Sequence, residues 1–164
     1  MLGQNQIGMK MHKLNLIFER LNMKIIITSL LILFFPTSSS ALSYGNVTNV
    51  IYVKNYDADT ITFNIPGWPD IIGEKMSVRV RGIDSPEIRG KCEQEKLLAR
   101  EAKQFVQEVM EKGWYIELHE ISKGKYFRIV AEVVVDGLYL SNLLILKKLA
   151  VRYNGGTKMK DWCE

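Results

Sequence analysis

Apolar and polar positions alternate along several stretches of the chain after residue 42 and repeat helically in one. Met76, Val78 and Val80 alternate with Ser77, Arg79 and Arg81, the period of a strand with one polar face. Asn46–Val53 and Thr60–Ile65 are runs of β-branched and aromatic residues that read as strands, as do Trp114–Glu120 and Phe127–Val135. Between the third and fourth strands, Leu98, Ala102, Phe105, Val106 and Val109 recur at the spacing of one helical face, and Gly113 stands where a helix-ending glycine belongs. Pro66-Gly-Trp-Pro-Asp70 reads as a loop, Asp136-Gly137 as a turn, and Leu140–Lys147 as a short apolar helix. Five strands and two helices in this order predict a small α+β barrel.

The N-terminal pattern is different. Met23-Lys24 precedes an uncharged run from Ile25 to Phe35, and Pro36-Thr-Ser-Ser-Ser-Ala41 follows it. Eleven helical residues cover about 16 Å, too little for a hydrocarbon core of about 30 Å. A basic start, a short apolar stretch and small residues at Ser39 and Ala41 describe a secretory signal peptide spanning 23–41. Met1, Met9, Met11 and Met23 each offer a start, which leaves the leading 22 residues unassigned. The expected organisation is a leader over 1–41, cleaved near Ala41, and one domain over 42–164. The product would be secreted or periplasmic, with no stable membrane association after cleavage.

Charge adds little. The formal net charge of +4 sits mainly in the leader, where Lys10, Lys13, Arg20 and Lys24 face only Glu19; the rest of the chain is near neutral. A partner attracted by bulk charge alone is therefore not indicated. Export does change the reading of the two cysteines. An oxidising compartment permits a Cys92–Cys163 bridge, the alternative being two free thiols.

After the leader only His119 remains as a histidine, and no His or Cys cluster suits zinc. No Ser-centred elbow and no phosphate-cradling glycine loop is present. Three segments offer a different chemistry: Asp57-Ala-Asp59-Thr60, Arg79-Val-Arg-Gly-Ile-Asp84-Ser85-Pro86-Glu87, and Lys125-Tyr126-Phe127-Arg128. Carboxylates are hard ligands for Ca²⁺ or Mg²⁺. A divalent cation would offset their repulsion of a phosphodiester, and arginines grip phosphate oxygens bidentately. Strand alternation places Arg79 and Arg81 on one face, so alternation does not choose between them, and Asp57 reads equally as a turn cap.

In these segments, from about Ile51 to Tyr153, the chain resembles the thermonuclease, or staphylococcal-nuclease-like, family. The resemblance implies an OB-fold, a five-stranded Greek-key β-barrel with two to three helices. It implies a Ca²⁺-dependent nuclease that hydrolyses DNA and RNA with little sequence preference and leaves 3′-phosphate ends, and a monomer is expected. Asp59 and Asp84, with the Ser85 carbonyl, would ligate Ca²⁺, and Glu87 would orient or deprotonate water. Arg79 and Arg128 would neutralise charge at phosphorus; the family spacing selects Arg79 over Arg81. Lys125, Tyr126 and Tyr153 would bind substrate, with Asp57 and Thr60 supporting the cation ligands. Ala58, Phe127 and Lys148 stand where the family usually has glycine, and each matters most if its backbone is left-handed. The rival class is a non-catalytic OB-type module that binds nucleic acid or protein, which has no reason to gather these acids.

Overall fold

The computed structural model describes residues 43–164. The expected leader, signal peptide and cleavage site lie outside the described residues. The elements in order are β1 (Ile51–Asn55), β2 (Thr60–Asn64), α1 (Asp70–Gly73), β3 (Met76–Val80), β4 (Ile83–Asp84), α2 (Glu93–Lys112), β5 (Ile116–Lys123), β6 (Ile129–Val135), β7 (Leu138–Tyr139), α3 (Leu140–Leu146) and β8 (Val151–Arg152). The main sheet runs β1-β2-β3-β6-β5, with β3 and β6 parallel and the other pairs along this path antiparallel. Two-residue β4 and β8 form a separate ribbon.

The chain before β1 closes the barrel. Tyr44, Val47 and Val50 donate to the carbonyls of Ile121, Leu118 and Ile116 on β5, so the outer edge of β5 is paired rather than open. The expected first strand, Asn46–Val53, is therefore two pieces. Asn49, at φ 56°, turns the backbone just before Val50, the last residue bonded to β5, and β1 starts at Ile51. This is the five-stranded OB-type barrel with three helices. Its core holds Ile61, Phe63, Val78, Leu118 and Val133 from the sheet, packed on Ala102, Val106 and Met110 of α2 and on Leu140 and Leu144 of α3.

The remaining boundaries shift for local reasons. Residues 70–73 form a turn of helix after Pro69, starting on the last residue of the expected loop Pro66–Asp70. The fourth strand starts at Ile116 because Trp114 N and Tyr115 N donate to the Asp136 carboxylate instead of to a ladder. The fifth starts at Ile129, since Tyr126 and Phe127 are left-handed, at φ 56° and 53°. Gly113 has φ −71°, so no left-handed cap explains it. A Cβ there would sit 2.3 Å from Val135 Cγ1, and close approach of α2 to β6 is what requires glycine.

Helix α3 ends differently. Leu149 N donates to Leu144 O and Lys148 N to Ile145 O, the paired bonds of a Schellman ending. Lys148 occupies its left-handed position at φ 60°. Lys148→Gly is therefore expected to stabilise the fold by about 1 kcal/mol, raising Tm by roughly 3–5 °C in a thermal melt. An unchanged or lower Tm would contradict it.

Cys92 and Cys163 are joined across 71 residues. The bond ties the C-terminal segment to the start of α2, where Cys92 Sγ also accepts from Glu95 N at 3.4 Å. Replacing both cysteines by serine keeps a capping atom at position 92 but frees the loop. Urea unfolding should then show a loss of about 4 kcal/mol; a loss below about 1 kcal/mol would show that the bond constrains little.

Candidate catalytic cleft

The site is built from short connections at one end of the barrel. Between β1 and β2, Asp57 Oδ1 accepts from Asp59 N at 3.0 Å and from Thr60 N at 2.7 Å. The side chain thus holds the turn that presents Asp59. Asn55 pins the same turn, its Nδ2 donating to Asp57 O and to Lys103 O of α2, each at 3.0 Å. Ala58 is fully buried, and its φ is not positive, so replacing a glycine there leaves the turn unstrained.

Cross-strand register places Arg79 opposite Thr60, and Val80 N donates to Asp59 O at 2.8 Å. Arg79 Nη1 consequently reaches Asp59 Oδ1 at 2.5 Å, and its Nη2 donates to Ile83 O at 3.3 Å and lies 4.0 Å from Asp84 Oδ1. Arg81 lies beyond the end of β3 and turns to β5, where it donates to Glu120 O and, at 2.8 Å, to Ser122 Oγ. Geometry thereby separates two arginines that strand alternation leaves equivalent. Gly82, at φ 75°, reverses the chain into β4, where Asp84 pairs with Val151.

Asp59 and Asp84 are both about 2% exposed. Ser85 Oγ donates to Asp59 Oδ2 at 3.0 Å, and Thr60 Oγ1 to Asp59 Oδ1 at 3.2 Å. Burial first, and repulsion from Asp57 second, push the Asp59 carboxyl up to about 6, against the pull of Arg79 and Ser85. Burial likewise raises Asp57. Asp84 Oδ1 is buried and accepts no well-aligned hydrogen bond. A Lys158 Nζ contact at 2.7 Å neutralises it instead.

Asp57, Thr60, Arg79, Glu87, Arg128 and Tyr153 line one cleft of about 460 Å³, together with Tyr56 and Lys158. Six of the sequence-predicted residues therefore meet there, with Asp59 joined to them through Arg79; Asp84 and Ser85 line a second cleft, which shares Glu87 and Lys158 with the first. Lys125 and Tyr126 do not join them. They sit exposed at the tip of the β5–β6 hairpin, Tyr126 at 90%. Arg128, at the base of that hairpin, is half-buried with its Nε unpartnered. Phe127 is 75% exposed beside it.

Two residues of this region were not foreseen. Lys158 Nζ also donates to Glu87 Oε1 at 2.7 Å. Burial opposes its charge, but the Asp84 and Glu87 carboxylates outweigh this and hold the ammonium above the usual lysine range. Glu95, buried in the first turn of α2, accepts from Glu87 N at 3.2 Å and Lys91 N at 2.8 Å, fixing the loop that carries Glu87. The one sequence signal for Glu95 is its place as an acid near the start of the helix, three residues after Cys92. None marked Lys158.

Among the described residues, the one group of three ligating side chains that converges within 4.8 Å is Cys92, Glu95 and Cys163, and its sulfurs are bonded to each other. The donor set that fits a hard cation is Asp59 and Asp84, with an underused buried oxygen on Asp84.

A family model described as staphylococcal nuclease homologue matches residues 77–161, which include Arg79, Asp84, Glu87, Arg128, Tyr153 and Lys158. No curated protein matches the chain.

The raised Asp59 makes a signed prediction for the metal-free protein. The folded state takes up this proton near pH 6 and the unfolded state only near pH 3.9, so stability falls as pH rises from about 4 to about 6. In chelator, urea unfolding at about pH 5 and about pH 7 should show the wild type gaining more at the lower pH than Asp59→Asn, which has no proton to gain. Equal pH dependence of the two proteins would contradict this.

Proposed function

The chain belongs to the staphylococcal nuclease homologue family, and on that premise we propose that it is an exported, Ca²⁺-dependent nuclease. It acts as a monomer on DNA and RNA with little sequence preference, hydrolysing phosphodiester bonds to leave 3′-phosphate ends. The observation that carries this reading is the placement of Arg79 between Asp59 and Asp84, in a cleft that Glu87 and Arg128 also line. The Cys92–Cys163 bond supports export, since such bonds persist in oxidising compartments.

Asp59 and Asp84, with the Ser85 carbonyl, would hold the cation. Once bound, a Ca²⁺ ion supplies charge neutralisation that lets an anionic strand approach buried carboxylates. Glu87 orients a water and takes its proton as the water oxygen bonds to phosphorus and the bond to the 5′ oxygen breaks. Arg79 and Arg128 stabilise the charge that builds on the phosphoryl oxygens. Asp57 and Thr60 keep Asp59 in place, Tyr153 contacts the substrate, and Lys125 and Tyr126 on the hairpin bind a phosphate of the strand.

Single- and double-stranded DNA and RNA, incubated with purified protein in Ca²⁺ or in chelator, test the reading. Cleavage should require Ca²⁺, and Glu87→Gln and Arg128→Ala should each lower kcat by roughly 10²–10⁴. Cleavage that persists in chelator, or that survives both substitutions, overturns the mechanism. Binding of nucleic acid without any cleavage would favour a non-catalytic OB-type module.

A further inference from the structure

The segment after β8 has no regular structure, yet both its ends are held. Tyr153 N donates to Gly82 O at 2.9 Å, and Cys163 is bonded to Cys92 beside the buried Trp162. Lys158 lies five residues from each anchor. Its ammonium sits 2.7 Å from Asp84 Oδ1 and 2.7 Å from Glu87 Oε1. Asp84 needs that neutralisation, because it is buried and Arg79 Nη2 is 4.0 Å away.

A lysine head is a compact point charge with three donors, the side chain best able to mimic a bound cation. Two positive groups cannot share one buried oxygen without strong repulsion. Tethering at both ends by about five residues keeps the ammonium at a local concentration of roughly millimolar or above.

We propose that Lys158 is an intramolecular counter-ion that competes with the divalent cation for Asp84, and that the Cys92–Cys163 bond sets the strength of this competition. The proposal rests on the cation-binding reading of Asp84 given above. It makes the C-terminal segment a threshold device: the centre stays neutralised when the cation is scarce and is vacated by Lys158 when the cation is abundant. By reciprocity, a bound cation loosens residues 154–161 by the same factor that Lys158 weakens cation binding.

Calorimetric titration of Ca²⁺ into the full protein, without nucleic acid, tests this. Lys158→Ala and Lys158→Met should each bind Ca²⁺ about five- to tenfold more tightly than wild type. Reducing the disulfide should move the wild type part of the way and leave Lys158→Ala unchanged. Backbone NMR order parameters across 154–161 of the wild type should fall when Ca²⁺ is added. Unchanged or weaker binding in both variants overturns the proposal while leaving the cation site standing, as does a rise in those order parameters. An equal effect of reduction on wild type and Lys158→Ala removes the disulfide from it. Failure of wild type and variants alike to bind Ca²⁺ takes down the cation site and this proposal together.

Discussion

Buried negative charge is the constraint around which this end of the molecule is built. Asp59 and Asp84 are almost wholly removed from water, and an unpaired carboxylate in such a place is costly. Two cations meet that cost from different parts of the chain. Arg79 projects from β3, on the face turned away from the core residues Val78 and Val80, and holds Asp59; Lys158 projects from the C-terminal segment and holds Asp84. The two neutralisations are unequal in kind. Arg79 is set by cross-strand register, so it cannot leave without disturbing β2 and β3. Lys158 rides on irregular chain, so its departure disturbs no strand and requires only that another cation take its place at Asp84.

The same difference decides what could be read from the sequence. Arg79, Asp84 and Glu87 lie in one nine-residue segment, and their spacing carries the chemistry. Strand alternation over 76–80 agrees with the observed burial residue by residue, because a sheet with one covered face imposes a period of two. Local signals fail where the cause is distant. Gly113 reads as a helix cap, yet its reason is a valine side chain on β6. Asn46–Val53 reads as one strand, yet it serves two neighbours, β5 as far as Val50 and β2 from Ile51 on. Lys158 is one lysine among several exposed ones, and only the folded chain brings it 71 positions back to Glu87.

The departures from the family pattern separate in the same way. Ala58 costs nothing, since its backbone is not left-handed. Lys148 and Phe127 both adopt positive φ, where a Cβ is disfavoured. At Lys148 the strain is absorbed by two backbone bonds and by burial of Leu149. Phe127 has no such compensation in its own exposed ring, and the hairpin instead closes through Gly124 N donating to Arg128 O at 2.9 Å. A Cβ at Gly124 would approach that oxygen to 2.8 Å, so the glycine that shapes the approach of Arg128 is the one before the aromatic pair.

Glu87 shows how a loop residue is made rigid without regular structure of its own. Its backbone N–H is held by Glu95, which projects from the first turn of α2, and its carboxylate is held by Lys158. Both supports converge on Cys92. That residue caps the helix from which Glu95 projects, and it is covalently joined to the segment from which Lys158 projects. A single cystine therefore fixes the main chain of the candidate base from one side and its side chain from the other. Main-chain support through Glu95 is independent of any cation, because it involves neither Asp59 nor Asp84. Side-chain support through Lys158 is not, because the same ammonium also serves Asp84. If Lys158 yields Asp84 to a divalent ion, Glu87 keeps its position in the chain and loses its ammonium partner, and a carboxylate freed in this way is a better acceptor for the proton of a water.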